Sequence, residues 1–315
     1  MAICTPISSL SALVRASLEC VKNGAMPRVA IARSAEAFVL RAGVEAYERG
    51  VAEPVLIGDI TETRRIARAY GFDISRFETV HLVDDESAVN EAVRLFRAGE
   101  VQLLMKGLVS TAILLKAVLN KTTGVPLPSG VLSHVGVFES PLDGRLMFMT
   151  DPGVNITPSL QRKVDILKNV LDVARKLGVR SPRVAVLAAT EKINYPAMPA
   201  TLDGDILTKM ARQGEFGDAR VLGPLSLDLA VSRESAATKR FDDPVAGNAD
   251  ILLTPNIEAG NILYKSLTTL SGCTMAAVVV GSQVPVVVPS RGDSDASKFH
   301  SIALASLLAH RSHVA

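Results

Sequence analysis

The chain has 315 residues, of which 48% are hydrophobic and 4% are aromatic, and its formal net charge is +2. This length predicts two domains of roughly 150 residues each, with an aliphatic core. The small net charge argues against nucleic acid as a partner, and three widely spaced cysteines without a CxxC motif fit a reducing compartment.

The N terminus and the most apolar segment indicate where the protein resides. The first ten residues lack the basic and apolar regions of a signal peptide. The apolar run 101–118 contains Lys106 and Lys116, which favours a strand, turn and helix over a membrane span. We therefore expect a cytoplasmic protein that does not bind a membrane.

Strand and helix patterns alternate through the first 119 residues. Helices are predicted over 8–21, 35–49, 61–70, 86–97 and 109–119, and strands over 28–32, 54–57, 79–83 and 101–105. Several of these helices are followed by a glycine, which is typical of helix C-termini. Repeated alternation favours a mostly parallel sheet with helices on both faces.

The pattern changes near Pro126 and Pro128, which mark a turn-rich domain boundary. Two strands that follow are separated by a turn, so antiparallel pairing is expected. These and the later strands are predicted over 131–138, 146–149, 184–188, 221–222, 250–253 and 276–280. Helices are predicted over 158–177, 202–212, 228–239 and 257–269.

A short β-branched run, 284–288, predicts a buried strand that stops at Pro289. The apolar-periodic segment after Asp293 predicts a helix. Ser290 and Arg291 therefore lie between a strand and a helix N-terminus, where open α/β sheets bind ligands and where N–H groups attract anions. An equally favoured local interpretation is a capped turn in which Arg291 pairs with a neighbouring acid.

Polar residues also follow three other strands, at 106–111, 150–155 and 255–261. Each segment alone fits a capped turn, but several at the carboxyl ends of strands are the arrangement that forms a cleft. The chain has no G-x-G-x-x-G motif, no P-loop and no histidine, cysteine and carboxylate cluster with metal spacing. His134 is interpreted as a structural histidine.

Five segments carry a family resemblance: KGLVSTAILLKAVLN, TDPGVNITPSLQRKVDI, LGPLSLDLAVS, DPVAGNADILLTPNIEAGNILYK and VPSRGDSDASK. From residue 103 to the C terminus, the chain resembles the phosphate acetyl/butyryltransferases, or phosphotransacylases, and is more similar to the butyryltransferase branch. The resemblance implies an α/β fold of two three-layer α/β/α domains of the isocitrate/isopropylmalate-dehydrogenase type with an interdomain cleft. We expect the first domain to comprise 1–128 and 289–315, and the second 129–288.

The resemblance also implies a reaction, acyl-CoA + phosphate ⇌ acyl phosphate + CoA. Acyl-CoA, CoA, phosphate and acyl phosphate are then the small-molecule partners, with coenzyme A as a substrate and with no cofactor and no metal. A homodimer is expected, because homodimers are usual in the family.

Site residues follow from matching the family motifs. Arg291 is expected to bind the phosphoryl group, and Ser290 to hydrogen-bond the carbonyl or the thiol. Acetyl-specific relatives carry an aspartate base at the position of Ser297, so Asp293 becomes the candidate base, with Asp295 second. Further residues are expected to bind substrate: Ser110, Lys116, Thr150, Asp151, Asn256, Asn261 and Lys265.

Two other functions remain open from the sequence. A non-catalytic regulatory module that binds CoA or acyl phosphate is possible, although the intact SRGDS segment favours catalysis. A metal-dependent hydroxy-acid dehydrogenase would share the general fold, but residues 190–260 lack an acidic metal cluster. Fold alone decides neither.

Overall fold

The computed structural model describes residues 6–128 and 130–312. The strands are β1 (Arg28–Ala32), β2 (Glu53–Gly58), β3 (Glu78–His81), β4 (Leu103–Lys106), β5 (Ser133–Glu139), β6 (Leu146–Thr150), β7 (Arg183–Leu187), β8 (Arg220–Leu225), β9 (Ile251–Leu253), β10 (Met275–Val280) and β11 (Val286–Val287). The helices are α1 (Leu10–Lys22), α2 (Ala37–Glu48), α3 (Ile60–Tyr70), α4 (Asp85–Arg97), α5 (Thr111–Val118), α6 (Leu160–Lys176), α7 (Pro199–Arg212), α8 (Leu227–Val231), α9 (Arg233–Thr238), α10 (Ile257–Lys265) and α11 (Asp295–Ser312).

These elements form two compact units. The terminal unit comprises Leu10–Pro128 and Thr274–Ala315, and the central unit comprises Met1–Ser9 and Ser129–Cys273. In the terminal unit the strand order is β3-β2-β1-β4-β11-β10, and every neighbouring pair is parallel except β10 with β11. Because Ala32 pairs with Lys106, the segments that follow β1 and β4 leave the same edge of the sheet.

Helix α11 lies inside the terminal unit. It packs against α1, α2 and β10, as expected for a C-terminal helix that returns to the first domain. Phe299, Ile302 and Leu307 are fully buried. Even its polar face is covered, since Ser306 donates to the carbonyl of Val51 at 3.1 Å. A helix buried on nearly all sides is a core element, so burial holds the body of α11 in place from Ser297 onward.

The central unit has the strand order β5-β6-β9-β7-β8. The expected antiparallel pair is present as β5 with β6, and the remaining neighbours are parallel. Helix α6 buries one aliphatic face that includes Val164, Leu167 and Leu171. The carboxyl ends of β6, β9 and β7 lie side by side at one edge, where ligands bind in sheets of this kind.

Three element predictions were wrong in detail. The helix predicted over 228–239 is two helices, because Ser232 adopts an extended backbone (φ −107°, ψ 115°) and its hydroxyl accepts from the amide of Ser235. The strand predicted over 284–288 pairs only at Val286–Val287, since Pro285 has no N–H to donate. The helix predicted over 257–269 ends at Lys265 and continues as a π-turn, Ser266–Leu270.

The limits of the two units differ from the predicted domain limits at both ends. The chain returns to the terminal unit at Thr274 instead of 289, because β10 is hydrogen-bonded to β11 and β11 to β4. The segment before Leu10 joins the central unit, since the amide of Ile7 donates to the carbonyl of Leu177 at 2.9 Å. The terminal unit also ends at Pro128, and the chain enters the central unit at Ser129.

Candidate functional site

The Ser290–Asp293 turn joins β11 to α11 in the terminal unit. The amide of Ser290 donates to Oδ2 of Asp293 at 2.8 Å, and the amide of Asp293 donates to the carbonyl of Ser290 at 3.1 Å. The buried Lys298 donates from Nζ to the carbonyl of Asp293 at 2.5 Å. The turn is thus closed on both sides, and Arg291 is held at its tip.

Arg291 is the accessible cation of this turn, with 76% of its side chain exposed. Its Nε lies 3.4 Å from Oε1 of Glu36, whose side chain is 19% exposed. Glu36 directly precedes α2 and follows β1. The alternative interpretation, a turn whose arginine pairs with an acid, therefore describes a real contact. The pair leaves the exposed arginine fork available to an anion, because an exposed ion pair contributes little, about 0–1 kcal/mol.

Lys106 ends β4 beside this pair and was missed by the sequence analysis. Its Nζ donates to the carbonyls of Gly107 and Val109 at 3.2 and 3.1 Å. Burial lowers the pKa of Lys106, the charge of Arg291 lowers it further, and the carboxylate of Glu36 opposes both effects. Two cations and one carboxylate thus share the carboxyl edge of β1, β4 and β11, an arrangement suited to a dianion such as phosphate.

Ser297, at the position of the aspartate in acetyl-specific relatives, has a structural role. It is 3% exposed, and its hydroxyl accepts from the amide of Met275 at 3.0 Å and from Oγ of Ser294 at 2.9 Å. Asp295 points elsewhere, 3.5 Å from Arg41 and 3.8 Å from Lys298. Of the acidic candidates, only Asp293 has its carboxylate in the turn that carries Ser290.

The structure separates the two predicted residues of α5. Ser110 caps the helix, since its hydroxyl accepts from the amide of Ile113 at 3.2 Å, and it lies at the same sheet edge as Lys106. Lys116 is exposed and lines a small pocket between α4 and α5 with Glu86 and Asn90. Lys116 lies six residues after Ser110, which is a rise of about 9 Å along a helix. No described contact brings Lys116 to the Arg291 turn.

In the central unit, Asp151 follows β6 and is 4% exposed. Its Oδ1 accepts from the amides of Gly153 and Val154, both at 3.0 Å. Its Oδ2 accepts from the amide and the Nδ2 of Asn155 at 3.1 and 2.6 Å. Four donors occupy both oxygens, so this carboxylate holds the loop together, a role the sequence analysis did not foresee for a predicted substrate ligand.

Thr150 and Asn256 support the same edge. The hydroxyl of Thr150 donates to the carbonyl of His134 at 3.0 Å, and Thr150 is fully buried. Asn256 caps α10, with Oδ1 accepting from the amide of Ala259 at 2.9 Å. Both predicted residues therefore position backbone at the ends of β6 and β9, as structural caps do.

Helix α10 approaches the β6 loop closely. A Cβ at Gly260 would lie 2.7 Å from the carbonyl oxygen of Asp151, so only glycine fits there. Asn261 donates from Nδ2 to the carbonyl of Pro152 at 3.2 Å. Lys265 lies one turn further, with its Nζ 5.2 Å from the ring centre of Tyr264. The structure thus brings Asn261 to the loop that Asp151 organises, and places Lys265 on the next turn of the same helix.

Residues 6–128 and 130–312 contain no group of three or more histidine, cysteine or acidic side chains placed to hold a metal ion. Over the same residues, no helix combines the length and the apolar character that a membrane span requires.

Comparisons with known proteins identify the family and the fold of the chain. Residues 83–306 match the family model described as phosphate acetyl/butaryl transferase. The chain is 43% identical to the phosphate butyryltransferase of Clostridium acetobutylicum, covering 92% of this chain and 95% of that one. It is 38% identical to the phosphate acetyltransferase of Thermotoga maritima, covering 91% and 97%.

A branched-chain phosphotransacylase from Enterococcus faecalis V583 superimposes with a TM-score of 0.80 at 36% identity, covering 90% of this chain and 99% of that chain. The 4-hydroxythreonine-4-phosphate dehydrogenase of Klebsiella pneumoniae superimposes with a TM-score of 0.53 at 12% identity, covering 90% of this chain and 100% of that one. This second likeness concerns the fold alone. It confirms the prediction of a dehydrogenase-like α/β fold.

Proposed function

Since the chain belongs to the phosphate acetyl/butaryl transferase family, we propose that it transfers a butyryl or similarly short acyl group directly between coenzyme A and phosphate. It is an acyltransferase of the phosphotransacylase type. Relatives named phosphate butyryltransferase at 43% and 40% identity support the butyryl assignment.

The proposed step is attack of the CoA thiolate on the carbonyl carbon of acyl phosphate. A sulfur–carbon bond forms and the carbon–oxygen bond to phosphate breaks, so acyl-CoA and inorganic phosphate result. A base takes the thiol proton and then passes it to the departing phosphate or to water. In the reverse direction phosphate attacks the thioester and the thiolate departs. No covalent acyl-enzyme and no metal ion is part of this proposal, and turnover unchanged by EDTA is expected.

Arg291 and Lys106 are the proposed phosphate ligands. Arg291 offers an exposed planar fork that binds phosphate oxygens in pairs, and Lys106 offers a half-buried point charge at the end of β4. Glu36 restrains Arg291 on the sheet edge. Negative charge develops on the departing phosphate, and cations that are already in position stabilise it most because they need not reorganise during the reaction. Cations held at strand ends have this advantage.

Asp293 is the proposed base and Ser290 the proposed donor to the carbonyl oxygen. A thiol with a pKa near 8.5 is only a few per cent ionised at neutral pH, so a carboxylate that takes its proton accelerates attack. Oδ2 of Asp293 accepts from the backbone amide of Ser290, so the carboxylate is held next to the residue proposed as the donor.

The central unit supplies the proposed remaining substrate contacts. Asn261 and Lys265 lie on successive turns of α10, so both can face one ligand, and the ammonium of Lys265 suits an anionic part of CoA. Ser110 and Thr150 are proposed to contact substrate in addition to the hydrogen bonds that they make within the protein. The homodimer and the cytoplasmic location stay predictions, the former testable by sedimentation.

The observation that carries this proposal is the closed Ser290–Asp293 turn beside Lys106. The test is thiol release from butyryl-CoA and acetyl-CoA, measured with and without phosphate. We expect phosphate-dependent release, faster with butyryl-CoA. A protein that binds CoA but releases no thiol would instead be the regulatory module, and this result would contradict the proposal.

A further inference from the structure

A cavity of about 440 Å³ lies in the central unit, at the carboxyl ends of β7 and β9 and beside the first turns of α7 and α10. This volume is in the range typical of small-molecule sites, about 300–1,000 Å³. Ten of its thirteen lining residues are apolar and none is charged; Leu187, Met198, Leu227 and Leu263 are the larger side chains among them. An anion would therefore find no counter-charge among the lining residues.

The polar lining residues already have partners. The hydroxyl of Thr201 donates to the carbonyl of Met198 at 2.7 Å, and that of Thr254 to the carbonyl of Thr150 at 3.1 Å. Oδ1 of Asn256 accepts from the amide of Ala259 at 2.9 Å. Burying an amide or phosphate without hydrogen-bond partners is costly, so the lining disfavours the pantetheine amides and the nucleotide phosphates of CoA. The suited occupant is a hydrocarbon.

The cavity shares one residue with the candidate site of the same unit and is bonded to another. Asn256 lines the cavity and caps α10, which carries Asn261 and Lys265. Thr254 lines it too and bonds directly to Thr150 at the end of β6. The cavity therefore lies at the strand ends where α/β sheets bind ligands, next to Thr150 and Asn256. Ala259 and Leu263 line it from the face of α10 opposite to Asn261 and Lys265.

We propose that this cavity receives the hydrocarbon chain of the acyl group and so determines acyl-chain specificity. This inference rests on the proposed function. Each methylene buried there should tighten binding about fourfold, so two methylenes should separate butyryl from acetyl substrates by roughly fifteenfold. The volume also leaves room for branched chains.

Two substitutions fill the cavity from different walls. Ala200→Leu acts from α7 and Ala259→Leu from α10. The matched control is Ala237→Leu, on an exposed position of α9 in the same unit. We expect the ratio of kcat/KM for butyryl-CoA to that for acetyl-CoA to fall at least tenfold in both filled variants. The control should keep the wild-type ratio, and circular dichroism should confirm folding of all three.

A binding measurement keeps this inference separate from the proposed function. Calorimetry with the unreactive thioethers S-ethyl-CoA and S-butyl-CoA should show the same chain-length preference in the wild type and its loss in the filled variants. Absent turnover with a retained preference would contradict the proposed function alone. Three results would overturn the acyl cavity. The filled variants could lose affinity equally for both thioethers, or the kcat/KM ratio of butyryl-CoA to acetyl-CoA could stay unchanged. The third is a change seen only in the sedimentation of a dimer.

Discussion

Replacement of Asp293 by asparagine separates a catalytic base from a turn-forming residue. The carboxylate accepts a charge-assisted hydrogen bond from the amide of Ser290 at 2.8 Å. Asparagine retains an acceptor oxygen at this position. Since a hydrogen bond to a charged group contributes about 1.5–3 kcal/mol and a neutral one about 0.5–1.5, the free energy of unfolding should fall by only about 1 kcal/mol. The bond from Lys298 goes to the main chain and is unaffected.

The expected loss of activity is much larger. A general base contributes about 10²–10⁴ in rate, which is about 2.7–5.5 kcal/mol of activation free energy. We therefore expect kcat for acyl-CoA formation at pH 7 to fall by at least a hundredfold in Asp293→Asn, while urea denaturation shows a nearly unchanged fold.

Two variants serve as controls for this prediction. Asp295→Asn alters an exposed carboxylate outside the turn and should keep kcat within a few-fold. Ser297→Ala removes a buried hydroxyl that holds Met275, so it should lower stability by about 1–3 kcal/mol and affect kcat far less. Wild-type kcat in Asp293→Asn together with inactive Asp295→Asn would mean that the base is the other aspartate. Activity in both would show that the thiol proton leaves without a protein base.

Three further predictions test the remaining assignments. Arg291→Ala should cost about 2–4 kcal/mol in kcat/KM, with Lys rescuing only in part because it lacks the planar fork; near-wild-type activity in the Ala variant would refute phosphate binding. Because Arg291 lowers and Glu36 raises the pKa of Lys106, the alkaline limb of the pH–kcat/KM profile should move to higher pH in Arg291→Ala and to lower pH in Glu36→Gln; unmoved limbs would exclude Lys106 from the site. Asp151→Asn should lower the free energy of unfolding by about 3–5 kcal/mol, since two of four charge-assisted bonds are lost; the exposed Asp172→Asn is its control, and a change below 1 kcal/mol at Asp151 would contradict the loop-holding role.

Local signals in the sequence account for most of the fold. Helix α3, for example, begins at the Asp59 cap and ends at Gly71, which adopts a left-handed conformation (φ 72°). Between α8 and α9, a single residue causes the difference from the predicted helix. Ser232 can continue a helix or cap a new one, and only its surroundings decide between the two.

The candidate site was harder to predict from the sequence than the fold was. Lys106 and Glu36 are 70 positions apart in the chain, and only the register that pairs Ala32 with Lys106 brings them to one edge. Asp151 was predicted to bind substrate, whereas the structure gives it a role in holding its own loop. A polar residue after a strand gives no sign that four donors already occupy its carboxylate. Lys116 matched a family position, yet lies in a pocket with Glu86.

Direct transfer is tested most plainly by the exchange of radiolabelled phosphate into butyryl phosphate, measured with and without CoA. Direct attack by the thiolate predicts label exchange only when CoA is present, because acyl-CoA must form before labelled phosphate can attack it. Exchange without CoA would reveal a covalent acyl-enzyme and contradict direct transfer. Absence of exchange under both conditions would contradict phosphotransacylase activity itself.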